Sequence, residues 1–105
     1  MSSATVTYSE LAISDLKIIA DYLIVEAGVD VALKVTDEIH RIINTTISDN
    51  PKAGSSVLFI PETPMRYFTV GKYPYNIYYE LNSNIVLIVR VLHGRRNIRK
   101  LLNTI

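Results

Sequence analysis

Apolar residues in the first half of the chain recur at the spacing of an α-helix. The first stripe repeats at i, i+3, i+4 and i+7 and consists of Leu16, Ile19, Ala20 and Leu23. This spacing predicts an amphipathic helix. Ser9 stands where an N-cap is expected, with Glu10 in the first turn, and Gly28 is a typical C-terminal stop. The β-branched and aromatic residues at 5–8 predict a short strand before the helix.

A second apolar stripe follows after a gap of only a few residues. It consists of Val35, Ile39, Ile42 and Ile43. We expect Asp30 to cap this second helix and Asn50-Pro51 to end it, because a residue before proline disfavours the helical conformation. The short gap predicts that the two helices form an antiparallel hairpin.

The second half of the chain changes from helical spacing to strand-like runs. Residues 52–64 include a glycine and two prolines, which predict a loop. Three runs, at residues 65–70, 75–81 and 85–92, then predict an antiparallel meander. The third run is almost continuously apolar, as in a central strand covered on both faces. Helical spacing returns in a last stripe formed by Ile98, Leu101, Leu102 and Ile105.

The predicted order of elements is therefore β-α-α-β-β-β-α, in one domain over residues 1–105. The simplest arrangement is an α+β fold with the helical hairpin packed on an antiparallel sheet and a short C-terminal helix. With 49% hydrophobic residues and no cysteine, we expect a core without disulfides and a cytoplasmic location. No secretory signal and no apolar run of membrane-spanning length is visible, so we expect no membrane association.

Charge is divided unequally along the chain. Residues 1–62 hold nine acidic and four basic residues, a net charge of −5. From Thr63 onward, seven basic residues accompany a single acid, Glu80, and the net charge is +6. The overall net charge of +1 therefore hides a dipolar molecule. The basic part predicts an acidic partner, such as nucleic acid, an acidic protein segment or a phosphate-rich target.

Histidine and arginine are the candidates for chemistry. His93 ends the predicted central strand beside Arg95, where an imidazole can act in acid–base reactions. The alternative is a histidine that only hydrogen-bonds the strand end. His40 lies among charged neighbours and is expected at the surface. Two isolated histidines without cysteine lack metal-ligand spacing, so we predict no metal and no cofactor.

Basic residues cluster in the last third of the chain, and guanidinium groups bind phosphates and carboxylates bidentately. The cluster consists of Arg66, Arg90, Arg95, Arg96, Arg99 and Lys100. A solvated surface without a ligand is the alternative, but the near-exclusion of acids favours binding. Five tyrosines between residues 67 and 79 are able to stack nucleic-acid bases, although their alternation favours core or interface positions.

Four segments carry a resemblance that covers nearly the whole chain: VTYSELAISDLKIIADYL, DNPKAG, RYFTVGKYPYNIYYEL and IVLIVRVLHGRRN. They resemble the RelE/ParE toxins of bacterial type II toxin–antitoxin systems, and the last two segments are the more specific. The resemblance implies the same fold. It also implies a hetero-oligomer with a cognate antitoxin, ParD-like or other, whose acidic or amphipathic C-terminal segment wraps the toxin. Operator DNA would be contacted only through that antitoxin.

The two branches of this superfamily differ in their targets. RelE-like toxins cleave messenger RNA on the ribosome with basic residues on the sheet and a tyrosine on the C-terminal helix. The aligned positions here are Tyr67, Thr69, Asn76 and Leu101, so most of that set is missing, and Arg95 alone has a counterpart. Arg66 and His93 remain as a substitute catalytic set with Arg95. ParE-like toxins instead inhibit DNA gyrase by binding, and YPYNIYY and VLHGRRN resemble that branch.

The sequence thus predicts a ParE-like toxin without catalytic residues, which inhibits DNA gyrase in plasmid stabilisation or growth control. The alternatives are a ribosome-dependent endoribonuclease and an inactive antitoxin-binding co-repressor module. The predicted target-binding residues are Arg90, Arg95, Arg96, Arg99 and Lys100. The apolar content of residues 11–47 predicts an antitoxin-binding surface on the hairpin. Its predicted contacts are Leu11, Leu16, Ile19, Tyr22 and Leu23.

Overall fold

A computed structural model describes residues 3–56 and 65–95, in which two helices pack on one face of a five-stranded sheet. The helices are α1 (Glu10–Ala27) and α2 (Val29–Arg41). The strands are β1 (Thr5–Tyr8), β2 (Ser55–Ser56), β3 (Met65–Thr69), β4 (Tyr75–Asn82) and β5 (Ile85–His93). The predicted α+β architecture is confirmed, while the predicted C-terminal helix lies outside the described residues.

The sheet is mixed rather than purely antiparallel. Its strand order is β1-β5-β4-β3-β2. β1 runs parallel to β5, and all other neighbours are antiparallel. A parallel pair needs a long crossover connection, and the helical hairpin with the following meander supplies it. Within the described residues, no helix is long and apolar enough to cross a membrane.

Ser9 begins α1, as predicted. Its hydroxyl oxygen accepts a hydrogen bond from the Ala12 backbone N–H at 3.0 Å, which satisfies one of the free donors of the first turn. The same hydroxyl donates to the Val89 carbonyl at 2.7 Å. One side chain therefore caps the helix and fixes its start against the middle of β5.

Gly28 separates the two helices. Its φ of 96° lies in the region that favours glycine, and its N–H donates to the carbonyls of Leu23 and Ile24. The prediction that Asp30 caps α2 is wrong. α2 begins at Val29, directly after the glycine, so the N-cap position has no side chain.

α2 continues into a π-helical segment at Ile42–Ile47. Adjacent isoleucines, Ile42 and Ile43, are both buried there, as the helical spacing of the second apolar stripe predicted. A 3₁₀ turn at Pro51–Ala53 follows. The predicted stop at Asn50-Pro51 is therefore confirmed, although part of the helix before it is π-helical rather than α-helical.

Apolar side chains are buried on both faces of the sheet. The larger group lies between the sheet and the helices and includes Ile39, Ile43, Ile77, Tyr79, Val86 and Ile88. A smaller group on the opposite face consists of Met65, Tyr78, Val89 and Leu92. β5 contributes to both groups, as its continuous apolar run predicted.

Candidate functional site

Arg90 lies inside the molecule. Its Nε and Nη2 atoms donate to the two carboxylate oxygens of Asp15 on α1, at 2.7 and 2.8 Å. The same carboxylate accepts the Val91 backbone N–H at 3.0 Å. Both charged side chains are about nine-tenths buried, and the hydrogen bonds to Asp15 raise the pKa of Arg90. This bidentate pair joins α1 to β5.

Arg90 is one of the predicted target-binding cations, and the structure contradicts this prediction. A buried guanidinium that is committed to Asp15 is not available to a partner, so we remove Arg90 from that set. A shift in the pairing of β5 with β4 lies directly before Arg90. Tyr78 lies opposite Arg90 and Tyr79 opposite Ile88, so one extra residue interrupts the alternation of side chains.

The sheet face away from the helices carries a neutral polar cluster, formed by Tyr67, Thr69, Asn76 and Tyr78. These residues share a face because Tyr67 lies opposite Tyr78, and Thr69 opposite Asn76, in antiparallel strands. Thr69 Oγ1 donates to Asn76 Oδ1 at 3.0 Å, and Asn76 Nδ2 donates to the Tyr78 hydroxyl at 3.4 Å. The two tyrosine rings lie 6.0 Å apart. Three of these positions align with sheet residues that are basic or catalytic in RelE-like toxins.

The substitute catalytic set does not come together. Arg66 lies opposite Tyr79, whereas His93 lies opposite Tyr75. Four residue steps along β4 separate the two positions, which is about 14 Å. Arg66 also has an internal partner, since its Nη1 donates to the Gly54 carbonyl at 2.8 Å.

His93 and Arg95 do lie together, at the end of β5. The His93 Nδ1 accepts the backbone N–H of Arg95 at 3.1 Å, and its ring meets the Tyr75 ring edge-on at 5.6 Å. This geometry agrees with the second interpretation of His93, a histidine that hydrogen-bonds the strand end. The Arg95 side chain is exposed. The other three predicted target-binding residues, Arg96, Arg99 and Lys100, lie outside the described residues.

Tyr79 fixes the loop that follows the helices. Its hydroxyl donates to the Pro51 carbonyl at 2.7 Å and accepts the Gly54 N–H at 2.9 Å. A Cβ at Gly54 would meet the Tyr79 hydroxyl and would lie 2.7 Å from the Tyr67 carbonyl oxygen. Burial raises the pKa of Tyr79. The glycine of the DNPKAG segment thus permits a close backbone approach.

The outward side of α1 carries large apolar side chains that are exposed. Ile18 is 62% exposed, Tyr22 59% and Val25 81%. With Leu11, they lie on one face of the helix, and we call these four residues the outer stripe. An exposed apolar surface of this kind marks an interaction site.

The structure divides the five predicted antitoxin contacts into two groups. Leu11 and Tyr22 belong to the outer stripe. Ile19 is buried, and Leu16 and Leu23 pack against the core, so these three residues are removed from the predicted surface. The helical spacing predicted the buried stripe but did not indicate that Ile18 and Val25 are exposed. The reason is that apolar residues cover most of the circumference of α1.

The outer stripe leads toward the end of β5. α1 starts beside the middle of that strand, and Asp15, further along α1, binds Val91, further along β5. Helix and strand therefore run in the same direction. Tyr22 adds to the raised pKa of Tyr75, whose first cause is burial. The outer stripe therefore runs along α1 toward the same end of β5 as Arg95.

Polar groups inside the described part of the chain have partners. No buried side-chain nitrogen or oxygen in residues 3–56 and 65–95 lacks a hydrogen bond. The same residues contain no group of three His, Asp or Glu side chains arranged to hold a metal ion. The two exposed features, the outer stripe and the β5 end, are the candidates for function.

Comparison with known families agrees with this geometry. The family described as "ParE toxin of type II toxin-antitoxin system, parDE" matches residues 6–98. This range is most of the chain, so the protein belongs to the ParE toxin family, within the RelE/ParE superfamily. It is the toxin component of a type II toxin–antitoxin system. No curated protein sequence matches the chain significantly.

Solved structures of related systems share the fold. The chromosomal ParDE system from P. aeruginosa matches with 21% identity and a TM-score of 0.71, over 86% of this chain and 95% of that chain. The RelBE2 toxin–antitoxin complex from Mycobacterium tuberculosis matches with 18% identity and a TM-score of 0.66, over 89% and 93%. The isolated E. coli RelE toxin matches with 10% identity and a TM-score of 0.53, over 96% of each chain. These structures confirm the predicted fold, and the family match over residues 6–98 confirms the predicted superfamily.

Proposed function

We propose that this toxin inhibits DNA gyrase by binding, without a catalytic reaction, and that an antitoxin neutralises it by docking on the outer stripe. The observation that carries the proposal is the neutral cluster on the sheet. The pair then acts in plasmid stabilisation or growth control, as a cytoplasmic hetero-oligomer that reaches operator DNA through the antitoxin.

The neutral cluster argues against RNA cleavage. Attack of a 2′-hydroxyl on the neighbouring phosphate needs positive charge on the phosphate and a group that accepts the hydroxyl proton. The hydroxyl and amide groups of Thr69 and Asn76 supply neither. Loss of one preorganised electrostatic group typically lowers a rate about a hundredfold or more, and several are missing here.

Arg95 is our proposed centre of the target-binding surface. Its side chain is exposed, and its backbone is held by the hydrogen bond to His93. Arg96, Arg99 and Lys100 follow it in the chain, so residues 95–100 contain four basic side chains. Guanidinium groups suit the acidic protein surface and the phosphates that a gyrase–DNA complex presents.

The outer stripe supports the antitoxin part of the proposal. The similar structures from P. aeruginosa and Mycobacterium tuberculosis are toxin–antitoxin systems. Removing exposed apolar surface from water contributes about 25 cal/mol per Å², and Ile18, Tyr22 and Val25 offer that surface in one strip. Because the strip leads toward the same end of β5 as Arg95, an antitoxin segment bound on it would obstruct the target surface.

The test uses purified toxin, gyrase and plasmid DNA. We expect loss of supercoiling activity or accumulation of cleaved DNA, and reversal when the product of the adjacent antitoxin-like reading frame is added. Arrested growth with unaffected gyrase and codon-dependent cuts in translated RNA would contradict the gyrase target. Absence of any growth defect would favour the inactive co-repressor module.

A ribosome-dependent endoribonuclease is the second candidate function, because His93 lies beside Arg95 at an accessible strand end. Under that alternative, the histidine acts in proton transfer and Arg95 holds the phosphate. Primer extension on translated RNA separates the two functions. We expect no cuts with the parent protein, whereas cuts that disappear in His93→Ala would establish the alternative.

A further inference from the structure

The outer stripe is bordered by exposed acidic side chains, namely Glu10, Asp21 and Glu26. The ion pairs among the described residues involve other acids, Asp15 and Glu38. None of the three border acids forms an ion pair within that part of the chain, and Lys17, one helical turn before Asp21, is the one cation on α1 beside them. The stripe presents an apolar surface with an unbalanced negative border.

The C-terminal end of α1 strengthens this negative charge. The last turn contains Glu26 and no basic residue, and Lys17 is the single basic residue of the helix. The free carbonyl groups at a helix C-terminus carry negative partial charge, which favours cations and disfavours an acid. Asp21 lies little more than a turn earlier. A partner cation placed beside Glu26 would interact with that carboxylate and with the helix end, and a second cation is needed for Asp21, which lies on the other side of the stripe.

We propose that the segment which docks on the outer stripe is an amphipathic helix whose apolar face is flanked by lysine or arginine. Cations on its two flanks lie against Asp21 on one side of the stripe and against Glu26 on the other. This inference rests on the proposed antitoxin docking and adds the chemistry of the partner. An acid-flanked segment, which the family resemblance equally allows, would bring like charges together at the border.

The dimensions of the stripe support a helix as the occupant. From Leu11 to Val25 it spans fifteen residues, and the fourteen steps between them are about 21 Å long at the rise of an α-helix. A partner helix of about four turns covers that length with apolar residues at every third or fourth position. A second copy of this chain fits less well, because an antiparallel two-fold pairing centred on Ile18 would place Glu26 of each copy opposite Glu10 of the other.

The test measures binding of two labelled synthetic peptides to the full chain by fluorescence anisotropy. Both peptides have the same leucine and isoleucine face, and the border positions are lysine in one and glutamate in the other. We expect the lysine peptide to bind about tenfold tighter or more at low salt. The preference should shrink as salt screens the border charges. Equal affinities, a tighter glutamate peptide, or no binding of either peptide would overturn the proposal.

Charge-reversal variants locate the effect. Asp21→Lys with Glu26→Lys should abolish or reverse the preference, whereas the matched control Asp37→Lys with Asp49→Lys should retain it. A preference that survives in the first variant overturns the proposed border. A separate experiment tests the antitoxin docking itself. It measures how tightly the cognate antitoxin binds the double variant Ile18→Ser with Val25→Ser. Loss of that binding supports the docking site even if the peptides show no preference for lysine.

Discussion

The two sides of α1 are similar in hydrophobicity and different in what they do. The inner side carries Ala12, Asp15 and Ile19, all buried against the sheet. The outer side carries the outer stripe, whose residues are larger on average and exposed. Apolar content therefore does not distinguish the core from an interaction surface on this helix. The distinguishing residue is a charged one, because Asp15 forms three hydrogen bonds across to β5.

The largest effect is expected from Asp15→Ala on the inner side. The change leaves the Arg90 guanidinium buried without its partner, and breaking a buried pair in this way typically costs about 3–5 kcal/mol of unfolding free energy. Denaturant unfolding measures the loss. The control is Asp21→Ala, an exposed acid on the same helix, expected within about 0.5 kcal/mol of the parent. Similar losses in both variants would contradict the role of the buried pair.

A smaller effect is expected at the second fixed point of the fold, where Tyr79 holds the loop after the helices. Gly54→Ala puts a methyl group against the Tyr79 hydroxyl and the Tyr67 carbonyl, and such overpacking typically costs about 1–3 kcal/mol. Gly94→Ala is the matched control. Its added Cβ has no neighbour among the described atoms nearer than 3.7 Å. Thermal unfolding should give a lower melting temperature for Gly54→Ala than for Gly94→Ala. Equal melting temperatures would show that the close approach at Gly54 does not limit the size of this residue.

The general architecture could be predicted from the sequence because each element has its own spacing and punctuation. Ser9 and Gly28 mark the ends of α1, and the continuous apolar run of β5 indicates a strand covered on both sides. These features are local, so single-chain patterns reveal them.

The position of Arg90 could not be predicted in the same way. Its partner Asp15 is 75 residues away in the chain, and the bulge that precedes it depends on pairing with β4. The candidate surface was predicted in part, with Leu11 and Tyr22 at exposed positions. Ile18 and Val25 were missed because a helix that is apolar all round does not show which side faces solvent.

The smallest effect on stability is expected at the β5 end. Arg95→Glu reverses an exposed charge and should change the unfolding free energy by no more than about 0.5 kcal/mol. Gyrase inhibition and growth arrest should nevertheless weaken, because the change opposes the acidic target. Lys72→Glu, which reverses another exposed cation, is the matched control. Equal loss of toxicity in both variants would show that total charge matters rather than the β5 end.

The central claim is that the outer stripe binds the antitoxin and contributes little to the core. The most direct measurement compares Ile18→Ser with Val25→Ser, as a double variant, with the parent in antitoxin affinity and in unfolding free energy. We expect the double variant to stay within about 1 kcal/mol of the parent in stability. Its affinity for the antitoxin should fall about a hundredfold, as for two buried interface residues. A folded double variant that binds the antitoxin with parental affinity would contradict the account.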